Sequence, residues 1–257
     1  MHIPTVFLPG LLCDASLWRT QIDGLSDLIA PFVADLTLDD SIAAMARRTL
    51  AAAPPRFALI GLSMGGYVAF EIMRQSPERV ERLALLDTSA TPDTLARSSA
   101  RRGAIESLKK GKFRGVTDRL LPQLLHADQL NGPVADVVKA MAVRVGGAAF
   151  LRQQVAILGR PDSRPDLATI TVPTLVAVGD ADVLTPPADS DEIHSGITGS
   201  QMYRFANCGH LPALEQPDET TALLRNWLTG GISNNTGIEP EATFTTTPNT
   251  HEMDRRI

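Results

Sequence analysis

The chain has 257 residues, 44% of them hydrophobic, and a formal net charge of −5. That size and apolar content suit one core-bearing domain with an inserted subdomain and exclude a fibre, a repeat array or a wholly disordered protein. The negative balance offers no global positive field for nucleic acid or an anionic membrane, so the expected partner is small or neutral.

Residues 5–8 read as a buried strand broken by Pro9-Gly10. Because the N-terminus lacks a basic leader region and this apolar run is so short, neither a secretory signal nor a membrane span is expected. Asp14 is a candidate cap for a helix with Leu17, Trp18, Ile22 and Leu25 on one face. A second strand is predicted over 29–34, and a helix over 41–53 that stops at Pro54-Pro55. Strand, turn and helix then run from 57 to 76, and apolar runs at 82–87, 174–178 and 201–206 read as further strands. Continuous apolar runs suit strands covered on both faces, and their alternation with helices implies a mostly parallel sheet with ligands at the carboxyl ends of its strands.

Between Asp87 and Val172 no strand pattern appears, and helices are predicted near 95–108, 116–125, 134–145 and 150–158. One crossover helix needs only about a dozen residues, so the surplus reads as a helical cap over the sheet edge. The expected organisation is a core of residues 1–90 and 169–229, a cap of 91–168 and a disordered tail of 230–257, rich in Thr, Asn and Pro. Cys13 and Cys208 fit no metal-ligand spacing, so neither a disulfide framework nor a zinc site is expected, and a reducing cytoplasm suits them.

The chemistry concentrates at Gly61-Leu62-Ser63-Met64-Gly65. A serine on a strained strand-to-helix turn needs small neighbours two positions away, and that turn lifts its hydroxyl above the sheet. A serine hydroxyl is a weak nucleophile without a base, so the elbow calls for a histidine and an acid that orients it. Of the five histidines, His210 in Gly209-His210-Leu211-Pro212 follows the last strand and overhangs the same edge as Ser63, whereas His2, His126, His194 and His251 do not suit the base. Asp182, Asp180 and Asp87 follow strand ends; turn capping accounts for the last two, which leaves Asp182 as the acid.

Together these motifs resemble the α/β-hydrolase superfamily over residues 3 to about 229, specifically the capped esterase-like branch of pimeloyl-carrier-protein methyl ester esterases, enol-lactone hydrolases and haloperoxidase-type esterases. The likeness rests on the elbow, the acid turn Gly179-Asp180-Ala181-Asp182 with Pro186, and Gly209-His210 followed by Glu215-Gln216-Pro217, in the family's order. Its spacing selects Asp182. The resemblance implies an oxyanion hole from the backbone amides of Leu11 and Met64, although Pro9 replaces the family's histidine before Gly10. Two further departures, no hairpin before the first strand and a short loop at 35–40, imply either a pocket opened at its side or a sheet reduced to about six strands.

The expected activity is serine-dependent hydrolysis of a small carboxylic ester without metal or cofactor. Thioester, lactone or carbon–carbon bond cleavage on the same triad is the nearest alternative, and a non-catalytic receptor that kept the fold is the distant one. Leu120, Leu124, Met141, Phe150 and Ile157 are candidates for the acyl pocket. Arg97, Arg101, Arg102, Lys109, Lys110, Lys112 and Arg114 form a basic cluster that suits an acidic acyl carrier protein.

Overall fold

In the computed structural model, which describes residues 2–111 and 113–231, six strands form one parallel sheet in the order β2-β1-β3-β4-β5-β6. They are β1 Ile3–Leu8, β2 Ile29–Val33, β3 Phe57–Leu62, β4 Val80–Leu86, β5 Thr174–Gly179 and β6 Gln201–Phe205. This is the α/β-hydrolase fold. The chain moves outward from β1 to β2 and then returns to lay β3 on the other side of β1, so the connections leaving β1 and β3 diverge at one sheet edge. Such a reversal opens a crevice at the carboxyl ends of the two strands.

Alternation along each strand sorts the core into two layers. Val6 and Leu8 of β1, Leu59 of β3, Leu83 and Leu85 of β4 and Val176 of β5 face one layer. Phe7, Ala58, Ile60, Leu62, Ala84, Leu86, Leu175 and Ala177 face the other. β3 and β5 are buried at every position, as their continuous apolar runs require.

The first layer is closed by helices α2 (Ile42–Ala52), α3 (Met64–Gln75) and α6 (Pro187–Gly196), whose Met45, Val68 and Ile193 are fully buried in it. Ser41 caps α2 by accepting the Ala44 N–H at 3.2 Å, and Pro54 follows the helix end. The second layer is closed by α1 (Arg19–Gly24) and by α7 (Pro212–Glu215) and α8 (Pro217–Thr229), with Ala213, Leu224 and Trp227 buried there. The helix expected from Asp14 begins as a 3-10 turn, Ala15–Trp18, with Asp14 Oδ1 accepting the Ser16 N–H at 2.9 Å.

Between β4 and β5 lie α4 (Leu95–Lys109) and the long α5 (Pro133–Leu158). The two helices expected at 134–145 and 150–158 are both present: they follow one another within α5 and are separated by a kink at Gly146 (φ 76°, ψ 171°), a conformation that suits a residue without a Cβ. The helix expected over 116–125 does not form; only a 3-10 turn, Leu121–Gln123, occupies it, because Pro122 removes a donor and clashes with the preceding turn. The expected tail falls almost wholly at 232–257, outside the described residues. No helix among the described residues is long and apolar enough to cross a membrane.

Candidate active site

Three loops leaving the carboxyl ends of the sheet meet above β1, β3 and β5. Ser63 follows β3 at φ 56°, ψ −116°, a left-handed-side conformation that costs a non-glycine residue about 1–3 kcal/mol. The elbow survives because its neighbours have no side chains. A Cβ on Gly65 would lie 2.1 Å from the Leu8 carbonyl oxygen, one on Gly61 2.6 Å from that of Gly65, and one on Gly66 2.2 Å from Thr88 Oγ1. Thr88 in turn donates to the Ser63 carbonyl at 2.8 Å, fixing the turn from β4.

The Ser63 hydroxyl lies 2.8 Å from His210 Nε2, and His210 Nδ1 lies 2.7 Å from Asp182 Oδ2. His210 and Asp182 are both 3% exposed, which keeps water from competing for these bonds. Asp182 Oδ1 also accepts the Leu184 and Thr185 N–H groups at 2.8 and 3.2 Å, and Oδ2 accepts the Thr185 hydroxyl at 2.8 Å. Burial pushes the Asp182 carboxyl upward, but the neighbouring imidazole and these donors outweigh it and hold the group below the usual carboxylate range. Asp182 is therefore an anion facing Nδ1, which selects the tautomer with the proton there and leaves Nε2 free to accept from Ser63.

The other two aspartates serve the backbone. Asp180 Oδ1 accepts the Cys208 N–H at 3.2 Å. Asp87, wholly buried at φ 44°, accepts the Gly179 N–H at 2.9 Å, and its Oδ2 has no hydrogen-bond partner. Burial, together with the adjacent Asp182 charge, pushes the Asp87 carboxyl well above the ordinary range, so it keeps its proton to a higher pH than a free carboxyl does. Ligand atoms of Asp87, Asp182 and His210 lie within 4.8 Å of one another, but Asp182 and His210 already hold each other.

Glu215 was not legible as more than a motif letter, and its role is plain in three dimensions. Its Oε2 accepts the N–H of His126 at 2.6 Å and of Gly209 at 3.1 Å, while Oε1 accepts that of Leu211 at 3.0 Å. One buried carboxylate thus clasps both neighbours of His210, and the His210 N–H itself donates to the Leu124 carbonyl at 2.9 Å. Gln153, fully buried on α5, does the same for the loop after β1: it accepts the Leu12 N–H at 3.2 Å and donates to the Leu36 carbonyl at 3.2 Å. A Cβ on Gly10 would lie 3.4 Å from Ser63 Cβ, so this loop passes directly over the serine. The N–H groups of Leu11 and Met64 donate to no other group among the described residues.

A cavity of about 460 Å³ opens onto Ser63 and His210. Leu120, Leu124, Phe150 and Ile157 line it; Met141, fully buried, does not, and Val138, one turn earlier on α5, lines it instead. The expected basic cluster divides. Arg102, Lys109, Lys110 and Arg114 are exposed and Lys112 lies outside the described residues, whereas Arg97 and Arg101 line the cavity. Arg101 Nε donates to Asp93 at 2.6 Å and Nη1 to Gln154 at 2.8 Å; Arg160 Nη1 donates to the other Asp93 oxygen at 2.8 Å and stacks 4.2 Å above the Tyr67 ring. Among the other histidines, His194 Nδ1 pairs with Ser200 at 2.8 Å, and His251 lies outside the described residues. Cys13 and Cys208 are buried free thiols; burial, reinforced by the Asp14 charge, pushes Cys13 up to about 12, and burial pushes Cys208 higher still.

Comparison with known proteins gives this geometry a context. A model described as the alpha/beta hydrolase family matches residues 5–223. A pimeloyl-[acyl-carrier protein] methyl ester esterase from Neisseria meningitidis is 27% identical over 238 residues, 90% of this chain and 89% of its own. The protein of the same description from Nitrosomonas europaea is 26% identical, over 83% of this chain and 91% of its own. Among solved structures, a thermophilic esterase from Thermogutta terrifontis superposes with a TM-score of 0.81 at 28% identity, over 90% of this chain and 91% of its own. An enol-lactonase from Burkholderia xenovorans shares the fold, with a TM-score of 0.75 at 23% identity over 89% of this chain and 92% of its own.

Proposed function

The chain belongs to the alpha/beta hydrolase family, and from that premise we propose that it hydrolyses a small carboxylic ester through Ser63, His210 and Asp182 by way of an acyl-enzyme. It is an esterase-type hydrolase; the triad, the intermediate and the substrate are the reading offered here. The observation that carries it is the continuous relay from Asp182 through His210 to Ser63, with separations of 2.7 and 2.8 Å, at the floor of a cavity.

In this reading His210 Nε2 takes the Ser63 proton as Oγ attacks the ester carbonyl, and Asp182 stabilises the imidazolium. The N–H groups of Leu11 and Met64 receive the carbonyl oxygen as it becomes an oxyanion, a contribution of about 3 kcal/mol per donor. The imidazolium gives its proton to the leaving alcohol, water is deprotonated by the same nitrogen to attack the acyl-enzyme, and Ser63 is regenerated. Residues 91–168 act as a cap over the core of 1–90 and 169–229, with Leu120, Leu124, Phe150 and Ile157 shaping the acyl site. Thioesters and lactones present the same carbonyl and would use the same parts.

The curated relatives are named for a carrier-linked methyl ester, and the exposed Arg102, Lys109, Lys110 and Arg114 suit an acidic carrier on the cap. Charge reversal at Lys109 and Lys110 is expected to slow turnover of a carrier-linked ester and spare a free one; equal rates would remove the carrier from the reading. For the hydrolase itself, a fluorophosphonate is expected to label Ser63, and Ser63→Ala to abolish p-nitrophenyl butyrate turnover. Absence of both labelling and turnover in the unaltered protein would favour a receptor that retains the fold.

A further inference from the structure

The walls of the cavity are mostly apolar, and besides the candidate catalytic Ser63 and His210 and the uncharged Gln123 and Thr185 they carry Asp93, Arg97, Arg101 and Gln154. The polar groups of these last four are unequally engaged. Both oxygens of Asp93 are taken, Oδ2 by Arg101 Nε at 2.6 Å and Oδ1 by Arg160 Nη1 at 2.8 Å. Gln154 Oε1 is taken by Arg101 Nη1 at 2.8 Å. Arg101 Nη2 and Arg97 Nε, by contrast, make no hydrogen bond among the described residues; Arg97 Nη2 donates to the Leu184 carbonyl at 2.8 Å and Nη1 stands 3.6 Å from Asp189. Donors are therefore to spare and the Asp93 and Gln154 oxygens are not.

Charge points the same way. Three guanidiniums, Arg97, Arg101 and Arg160, meet two carboxylates, Asp93 and Asp189, which leaves a positive excess beside a mostly apolar chamber. Burial raises the Asp93 carboxyl, but its bonds to Arg101 and Arg160 prevail and hold it low, so it stays ionised and its charge is occupied by those two guanidiniums. Arg101 and Asp93 are only 19% and 4% exposed, so a charge placed beside them is poorly screened by water. A wholly apolar acyl chain leaves these donors unused, whereas a planar oxyanion matches a guanidinium edge.

We propose that the cavity is selective for esters whose acyl chain carries a second, ionised carboxylate, that is, half-esters of dicarboxylic acids, and that Arg101, assisted by Arg97, is the specificity-determining cation. The inference rests on the esterase reading above and deepens it, taking a free half-ester in place of the carrier-linked ester as the substrate. Reaction at Ser63 would release an alcohol and a dicarboxylate, so the enzyme's place in a reaction sequence follows a step that esterifies one end of a diacid.

The test is a matched series. Monomethyl succinate, glutarate, adipate and pimelate are each paired with the methyl ester in which the free carboxylate is replaced by a carboxamide, which keeps the shape and removes the charge. The unaltered protein is expected to show kcat/KM at least tenfold higher for the half-ester at the chain length that fits, and the advantage should shrink as ionic strength rises. Arg101→Gln should bring the half-ester to carboxamide ratio close to one, and Arg97→Gln should lower it less. Because Arg101 also holds Asp93, Arg101→Lys and melting temperatures accompany the series: a merely structural role would depress both substrates together and leave their ratio unchanged, which overturns the proposal. Carboxamide esters that are hydrolysed as fast as half-esters, or faster, at every length would also overturn it while leaving the esterase reading intact. If neither class turns over and Ser63 is not labelled by a fluorophosphonate, both readings fall.

Discussion

Glu215 offers the sharpest test of how the histidine is held. Its carboxylate accepts three buried backbone N–H groups, two of them from the residues that flank His210. Truncation to alanine leaves three donors without an acceptor, each worth about 1–3 kcal/mol when unsatisfied, so Glu215→Ala is expected to lose about 3–6 kcal/mol once water partly fills the gap. For a chain of this size that is a fall in melting temperature on the order of 10 °C or more. Glu215→Gln keeps the shape but presents an amide NH₂ where an acceptor is required. With its carbonyl at the Oε2 position it serves His126 and Gly209 and sets donor against donor at Leu211, a loss of about 1–3 kcal/mol.

Activity should report more than stability. The imidazole must stay 2.8 Å from Ser63, and a misplacement near 1 Å can cost about a hundredfold in rate. Glu215→Gln is therefore expected to lower kcat by ten- to a hundredfold on p-nitrophenyl butyrate with KM changed less than threefold, since the acyl cavity is untouched. Urea unfolding followed by circular dichroism gives the stability and steady-state kinetics gives the split. A glutamine variant within about 0.5 kcal/mol of the parent and with kcat within twofold would refute the clasp as a positioning device.

Asp87 holds its proton to a higher pH in the native state than in the unfolded chain, where it is lost above about pH 4. Since the unfolded chain then binds fewer protons, this group erodes stability as pH rises from about 4 toward its native value, and Asp87→Asn should remove that slope. The variant's advantage in urea midpoint should grow as pH rises above about 4; a difference that is flat or shrinks with pH contradicts the raised carboxyl. The thiols of Cys13 and Cys208, both buried and pushed upward, should resist iodoacetamide at pH 8 in native protein and react on unfolding, as mass spectrometry would record. Gly65→Ala should yield misfolded protein or none, because its Cβ would stand 2.1 Å from the Leu8 carbonyl oxygen; soluble, active G65A protein would show that the elbow can relax.

The strands and the order of the candidate catalytic residues were legible because both are written locally. β3 and β5 are uninterrupted apolar runs, and Ser63, Asp182 and His210 each sit just past a strand end. What escaped is non-local. Nothing in the sequence near Glu215 announces that its oxygens reach His126, 89 positions away, and nothing around Gln153 announces the N–H of Leu12. Between β4 and β5 the sequence is least legible: apolar spacing suggests a helix over 116–125 despite Pro122, and it places Met141 on the cavity although its helical neighbour Val138 lines it. Periodicity tells which residues share a stripe but not which way a helix is rolled.

The kink at Gly146 lets two consecutive helices take opposite sides of the sheet. Before it, Ala135, Val138 and Met141 belong to the layer beneath α1 and α8; beyond it, Ala156 and Ile157 belong to the layer beneath α2 and α3. A segment that staples both cores together cannot detach while the sheet stays packed, so heat or denaturant should dismantle the molecule in a single cooperative step, and a protease should find no durable intermediate stripped of α5.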